Sequence, residues 1–174
     1  MVETDDIHDT TPPRLDTYDK EGDLVFVSKI HNEAERKENL RLALFLSDHT
    51  GECVYLLPHI QPTQKDAGRL RSEYFPQGVK EDKNPDFYFS GRFVDGKNLT
   101  TIAMKPDNTK AVKRKIQNRL AEAFEQADDA FVEVNTSIPM KLVRDAIKGK
   151  LTSSKHRHVV YVKYREELFV FGAK

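Results

Sequence analysis

Four apolar residues spaced four apart, Val112, Ile116, Leu120 and Phe124, stand between short apolar runs. That arrangement restricts the folds open to this chain more than any other feature. The spacing predicts a helix with one buried stripe, starting near Asn108. Before it come Phe87-Tyr88-Phe89 and Arg92-Phe93-Val94-Asp95-Gly96-Lys97, separated by Ser90-Gly91. Two short strands with glycine in the turn predict a hairpin. After it comes Ala130-Phe131-Val132-Glu133-Val134, a further strand. A stripe on a helix between strands is buried by laying the helix on the sheet those strands make.

The flanking segments extend this pattern. Leu24-Val25-Phe26-Val27 predicts a leading strand. Asn32 is placed to cap a helix running to about His49, with Leu42, Ala43, Phe45 and Leu46 inward and Thr50-Gly51 ending it. Glu35, three residues after Asn32, suggests a capping box. Val54-Tyr55-Leu56-Leu57 follows as a buried strand, stopped by Pro58. Residues 61–84 are polar and predict a long loop, a kind of segment that is usually functional or mobile. Beyond Ile138-Pro139 a helix is expected from Met140 to about Lys150, then a hairpin of His158–Lys163 and Leu168–Phe171. The expected fold is therefore α/β (α+β), a mixed central sheet with flanking helices. Its core reads α-β-β-β-α-β, with a C-terminal helix and hairpin added. Residues 1–22 are acidic, carry Pro12-Pro13 and show no periodicity, so a tail or linker is expected there and one domain over 23–174.

Composition narrows the function. No apolar run approaches the roughly 20 residues of a membrane helix, and the acidic start lacks the pattern of a signal peptide. Cys53 is the single cysteine, which excludes an internal disulfide and a cysteine zinc cluster. There is no glycine-rich phosphate loop or dinucleotide fingerprint, so ATPase and dehydrogenase readings fall away. The net charge of zero hides a gradient. Residues 1–23 hold eight acids against Arg14 and Lys20, while residues 140–174 hold nine Lys or Arg against Asp145, Glu166 and Glu167. A basic C-terminal segment suits a polyanionic partner as well as a solvated surface.

Within the hairpin, Asp95 and Lys97 are two apart and should share a strand face. An antiparallel return at Ser90-Gly91 would bring Asp86 to the same end. Two carboxylates offer hard oxygen ligands to a divalent cation such as Mg2+, and a lysine supplies a positive charge for a phosphate. Asp86 and Asp95 are thus the candidate metal ligands, and Asp86, Asp95 and Lys97 the candidate catalytic residues. Asp95→Ala is expected to abolish activity without unfolding the chain, as a cluster of like charges is strained.

Pro85-Asp86, eight intervening residues and Asp95-Gly96-Lys97 resemble the PD-(D/E)xK nuclease signature, and the element order resembles that family's core. The resemblance implies an acid on the first helix, for which Glu38 is preferred over Glu35. More widely, Asn84 through Arg92 and the passage from Glu125-Gln126-Ala127-Asp128 into Phe131-Val132-Glu133-Val134 resemble the C-terminal nuclease domains of contact-dependent inhibition and other bacterial polymorphic toxins. Related modules are fused to phage head-morphogenesis proteins. This resemblance covers roughly residues 24–174. It implies an endonuclease toxin, with tRNA the leading substrate and DNA the alternative. It further implies a neutralising immunity protein, and action in the cytoplasm of a target or producing cell after delivery within a larger secreted or phage protein. Gly96, where that family commonly has an apolar residue, is a departure. The barnase-EndoU-colicin-RelE group is a metal-independent alternative, in which His156 or His158 would do acid–base work. A non-catalytic interaction module is a third reading. Lys113, Arg114 and Arg119 on the second main helix, with His156 and His158, are the candidate nucleic-acid contacts. Tyr74 and Phe75, beside Arg69 and Arg71, would either stack on bases or pin the long loop to the core.

Overall fold

A computed structural model describes residues 14–75, 79 and 82–172. The acidic residues Glu3, Asp5, Asp6 and Asp9, and Pro12-Pro13, lie outside the described residues. The fold class is the expected one, mixed α/β, and it falls into two compact units that divide between Phe93 and Val94. Among the described residues no helix is long and apolar enough to cross a membrane.

In the first unit a 3-10 turn, Leu15–Thr17, leads into β1 (Tyr18–Lys20), which runs antiparallel to β2 (Val25–Ser28). Residues expected to be a tail therefore form a short edge strand, held by the burial of Tyr18. Helix α1 (Glu33–Thr50) carries the chain from β2 to its parallel neighbour β3 (Val54–Leu56) and packs on both strands. Asn32 caps it by accepting the Ala34 amide at 3.0 Å, and Gly51 closes it in the left-handed region at φ 69°. Leu42, Ala43, Phe45 and Leu46 are buried, as their spacing predicts. Strand β4 (Phe87–Phe89) runs antiparallel to β3. Phe26, Tyr55 and Tyr88 are register partners across three strands, so their rings form a row: 5.0 Å between the first two centroids and 5.9 Å between the next. Ser90 and Gly91 both have positive φ, 52° and 75°, as a two-residue turn of type I′ requires.

The polar stretch after Pro58 holds a helix, α2 (Ala67–Tyr74), where a loop was expected. None of its residues is buried, so no apolar stripe announced it. Arg69 pairs with Glu73 one turn on, at 3.0 Å. Arg71 ties the segment down: it donates to the Ile60 carbonyl at 3.0 Å and to Asn84 at 3.2 Å, and its guanidinium lies 4.7 Å from the Phe75 ring centre. Phe75 is buried, and the Tyr74 carbonyl accepts the Tyr18 hydroxyl at 3.2 Å. Of the two roles considered for these aromatics, pinning is the one observed.

His31 gives the first unit a pH response. Its ring is buried, with Nδ1–H donating to the Leu57 carbonyl at 2.7 Å and Nε2 facing the Asn39 amide at 3.4 Å. One nitrogen donates and the other accepts, which suits the neutral ring. Burial pushes its pKa below the ordinary value, against the upward pull of the Leu57 bond. The unfolded chain then binds more protons than the folded one just below pH about 6.5. Stability is complete above that pH and falls as the pH drops towards the folded pKa. Urea midpoints measured from pH 7.5 to 5 should decline in the wild type, and His31→Gln should remove part of that decline.

Strand β5 (Arg92–Leu99) leads into the second unit. There β5, β6 (Asp129–Val134) and β7 (Val160–Tyr164) are parallel neighbours, joined by α3 (Thr109–Gln126) and α4 (Met140–Ser153). Strand β8 (Glu167–Phe171) returns antiparallel to β7 through a turn at Arg165-Glu166, where both φ are positive. The predicted stripe is the floor of this core: Val112, Ile116 and Leu120 pack with Val132, Val160 and Val162. Helices α3 and α4 pack closely, and the Gln117 amide donates to the Ala146 carbonyl at 3.1 Å.

Candidate functional site

Strand β5 sets Asp95 and Lys97 on one face. Their register partners on β6 are Ala130 and Val132, and the next in the row are Leu99 and Val134. All of these partners belong to the core of the second unit, so the acid and the lysine enter its apolar side. Lys97 Nζ lies 2.8 Å from Asp95 Oδ2, and the two side chains are 18% and 5% exposed. A carboxylate and an ammonium this close in a poorly hydrated place attract strongly, but both have lost water to get there.

The other predicted site residues are placed as follows. Asp86 and Glu38 lie in the first unit. Asp86 is half-buried just before β4, and its carbonyl accepts the Leu57 amide at 2.9 Å. Glu38 is half exposed on α1, where Arg41 holds its carboxylate at 2.6 and 3.2 Å. Glu35 is exposed one turn before it. On α3, Arg114 is exposed, Lys113 half-buried, and Arg119 bridges Glu122 at 2.7 Å. His156 is exposed. His158 is not the surface group expected of a phosphate contact. Its ring is buried, stacked on Phe124 at 3.8 Å and 7° between planes, and bonded through Nδ1 to the Asp128 carbonyl. Two apolar neighbours, Val159 and Val160, draw it inward with the strand.

A second acid–lysine pair was not anticipated. Glu133 on β6 and Lys163 on β7 are register partners, 3.0 Å apart, with side chains only 14% and 12% exposed. Lys163 also reaches Glu166 at 3.1 Å. Burial disfavours the ammonium, yet hydrogen bonds to Glu133 and Glu166 together outweigh it and raise its pKa. This pair borders a cleft of about 300 Å3 at the carboxyl ends of the parallel strands, with Thr100, Asn135 and Arg165 around it. Asn135 braces the rim by donating to the Thr100 carbonyl at 2.6 Å and accepting the Ser137 amide at 2.8 Å. Each residue stands in the sequence as a lone charge inside an apolar strand run, but their pairing depends on the neighbouring of β6 and β7.

Among the described residues, no three His, Cys, Asp or Glu side chains gather as a ready metal cage. Asp95 nevertheless offers the hard oxygen that Mg2+ prefers, and Mg2+ commonly binds through one or two carboxylates while keeping several waters. No protein-family profile, curated protein or solved structure matches the chain.

Proposed function

We propose that this chain is an endonuclease that cleaves phosphodiester bonds, with RNA, and tRNA in particular, as the leading substrate and DNA as the alternative. The observation that carries this reading is the buried Asp95–Lys97 pair on β5. In it, the Asp95 carboxylate is the acidic group of the site, the hard-oxygen ligand for a divalent cation. Lys97 would supply a positive charge to offset the negative charge that grows on the phosphorus oxygens during attack. Charge stabilisation of this kind is strongest where water is thin, which is the condition the packing around β5 provides.

A divalent cation, Mg2+ by donor chemistry, would be held by Asp95 together with bound waters. When bound it would lower the pKa of a water and neutralise phosphate charge. Support for the reading also comes from chain order: α1, β3, β4, β5, α3 and β6 follow one another as α-β-β-β-α-β, with α2 inserted after β3. The metal-independent alternative loses one of its two histidines to the core, since His158 is packed on Phe124. As a toxin-type nuclease the chain would have a neutralising immunity protein as its partner.

Purified protein incubated with tRNA, total RNA and plasmid DNA should cut at least one of them with magnesium, and EDTA should stop the reaction. Cleavage that EDTA leaves untouched would discard the metal.

A further inference from the structure

Next to the Asp95–Lys97 pair in sequence, a separate hollow of about 230 Å3 opens in the second unit, lined by Asn98, Thr101, Ile102, Lys115 and Arg119. Each polar side chain there brings hydrogen-bond donors, and none is a carboxylate. Lys115 and Arg119 are four apart on α3 and therefore neighbours on one helix face. Asn98 is oriented by its own loop: its Oδ1 accepts both the amide and the hydroxyl of Thr100, at 2.9 and 2.6 Å. With its oxygen engaged, the side chain has its NH2 group left to offer. Thr101 contributes a hydroxyl. Glu122 competes for Arg119 at 2.7 Å, but that pair is 40% and 53% exposed. An exposed pair of this kind is worth about 0–1 kcal/mol, so Arg119 is readily recruited by a stronger anion.

A hollow lined by two cations, an amide and a hydroxyl, with no acid among its lining residues, suits a tetrahedral oxyanion. We propose that this hollow binds a backbone phosphate of a nucleic acid. The identity of the polymer rests on the nuclease reading, while the anion chemistry stands on the hollow itself. Lys115 and Arg119 are set apart from the other basic residues of α3 by lining this hollow. Lys115 was not among the contacts expected from the sequence.

The test uses the whole chain in EDTA, with a short fluorescein-labelled single-stranded RNA followed by anisotropy at several salt concentrations. Lys115→Gln/Arg119→Gln should raise the apparent Kd about tenfold or more and flatten the log–log salt slope by roughly 0.7 per lost phosphate contact. Lys29→Gln/Lys37→Gln removes equal charge elsewhere and should change neither by as much. Equal effects from the two double variants would overturn the proposal, since general charge would then explain binding. Inorganic phosphate added to isotope-labelled wild type should shift the Thr101 and Ile102 amides, and the RNA should compete for the same shift. Phosphate binding that RNA does not compete would also overturn it, leaving a site for free phosphate. Wild type that binds RNA through these residues but cleaves nothing would sink the nuclease reading and leave this inference standing. Wild type that cleaves, with Lys115→Gln/Arg119→Gln binding as tightly as before, would do the reverse.

Discussion

Asp95→Ala is expected to lose cleavage by at least about 10²-fold, the loss seen when one charged or hydrogen-bonding group of a transition-state site is removed. The same change should also weaken the fold, contrary to the expectation from sequence. The reason is the partner. Lys97 is 18% exposed and 2.8 Å from the Asp95 carboxylate, so removing that carboxylate leaves an ammonium poorly hydrated and uncompensated. Breaking such a pair from one side costs about 3 kcal/mol, at the low end for buried pairs because Lys97 keeps some contact with water. Asp95→Ala/Lys97→Met removes both charges and fills the space with an apolar chain, so most of that stability should return. Denaturant midpoints of the two single variants and the double variant form a cycle that reads the coupling directly. Additive losses would mean that the two side chains do not sense each other.

Gly172→Ala is expected to destabilise the second unit strongly. Gly172 follows β8 with φ +107°, and a Cβ added there would meet the His158 carbonyl oxygen at 2.2 Å. Both the backbone conformation and the contact exclude a side chain, and the obstacle is main chain, which cannot swing aside. The cost should be roughly 2–3 kcal/mol. Gly51→Ala is the reference. Gly51 also has positive φ, +69°, but an added Cβ there meets nothing within 4 Å. Its loss should be about 1 kcal/mol, the conformational part alone. Equal denaturation midpoints for the two variants would show that β8 and the His158 backbone separate easily.

What could be read in the sequence follows from how each element is buried. Helix α3 was legible because Val112, Ile116 and Leu120 all enter one core, and a helix that buries a stripe must repeat it. The turn before β5 was legible because Ser90-Gly91 is the chemistry a tight turn needs. Helix α2 was not, because it buries nothing and is held by Arg71 reaching across to Ile60, Asn84 and Phe75. Strand β1 was hidden in an acidic stretch because Tyr18 alone among its residues turns inward. Local spacing was enough for Asp95 and Lys97, since two residues in one strand carry their own geometry. Glu133 and Lys163 required knowing that β6 and β7 are neighbours, which spacing along the chain does not state. His158 misled because Lys155, His156 and Arg157 around it are exposed, and only the start of the strand distinguishes it from them.

As a nuclease, the chain would use Asp95 and Lys97 on a phosphodiester and not merely to hold β5 in place. Single-turnover cleavage of tRNA, with magnesium and enzyme in excess, tests it most directly when wild type is compared with the refolded and stable Asp95→Ala/Lys97→Met variant. Wild type should cleave and the variant should not, although the variant's denaturant midpoint stays near wild type. A stable variant that cleaves at the wild-type rate would contradict it.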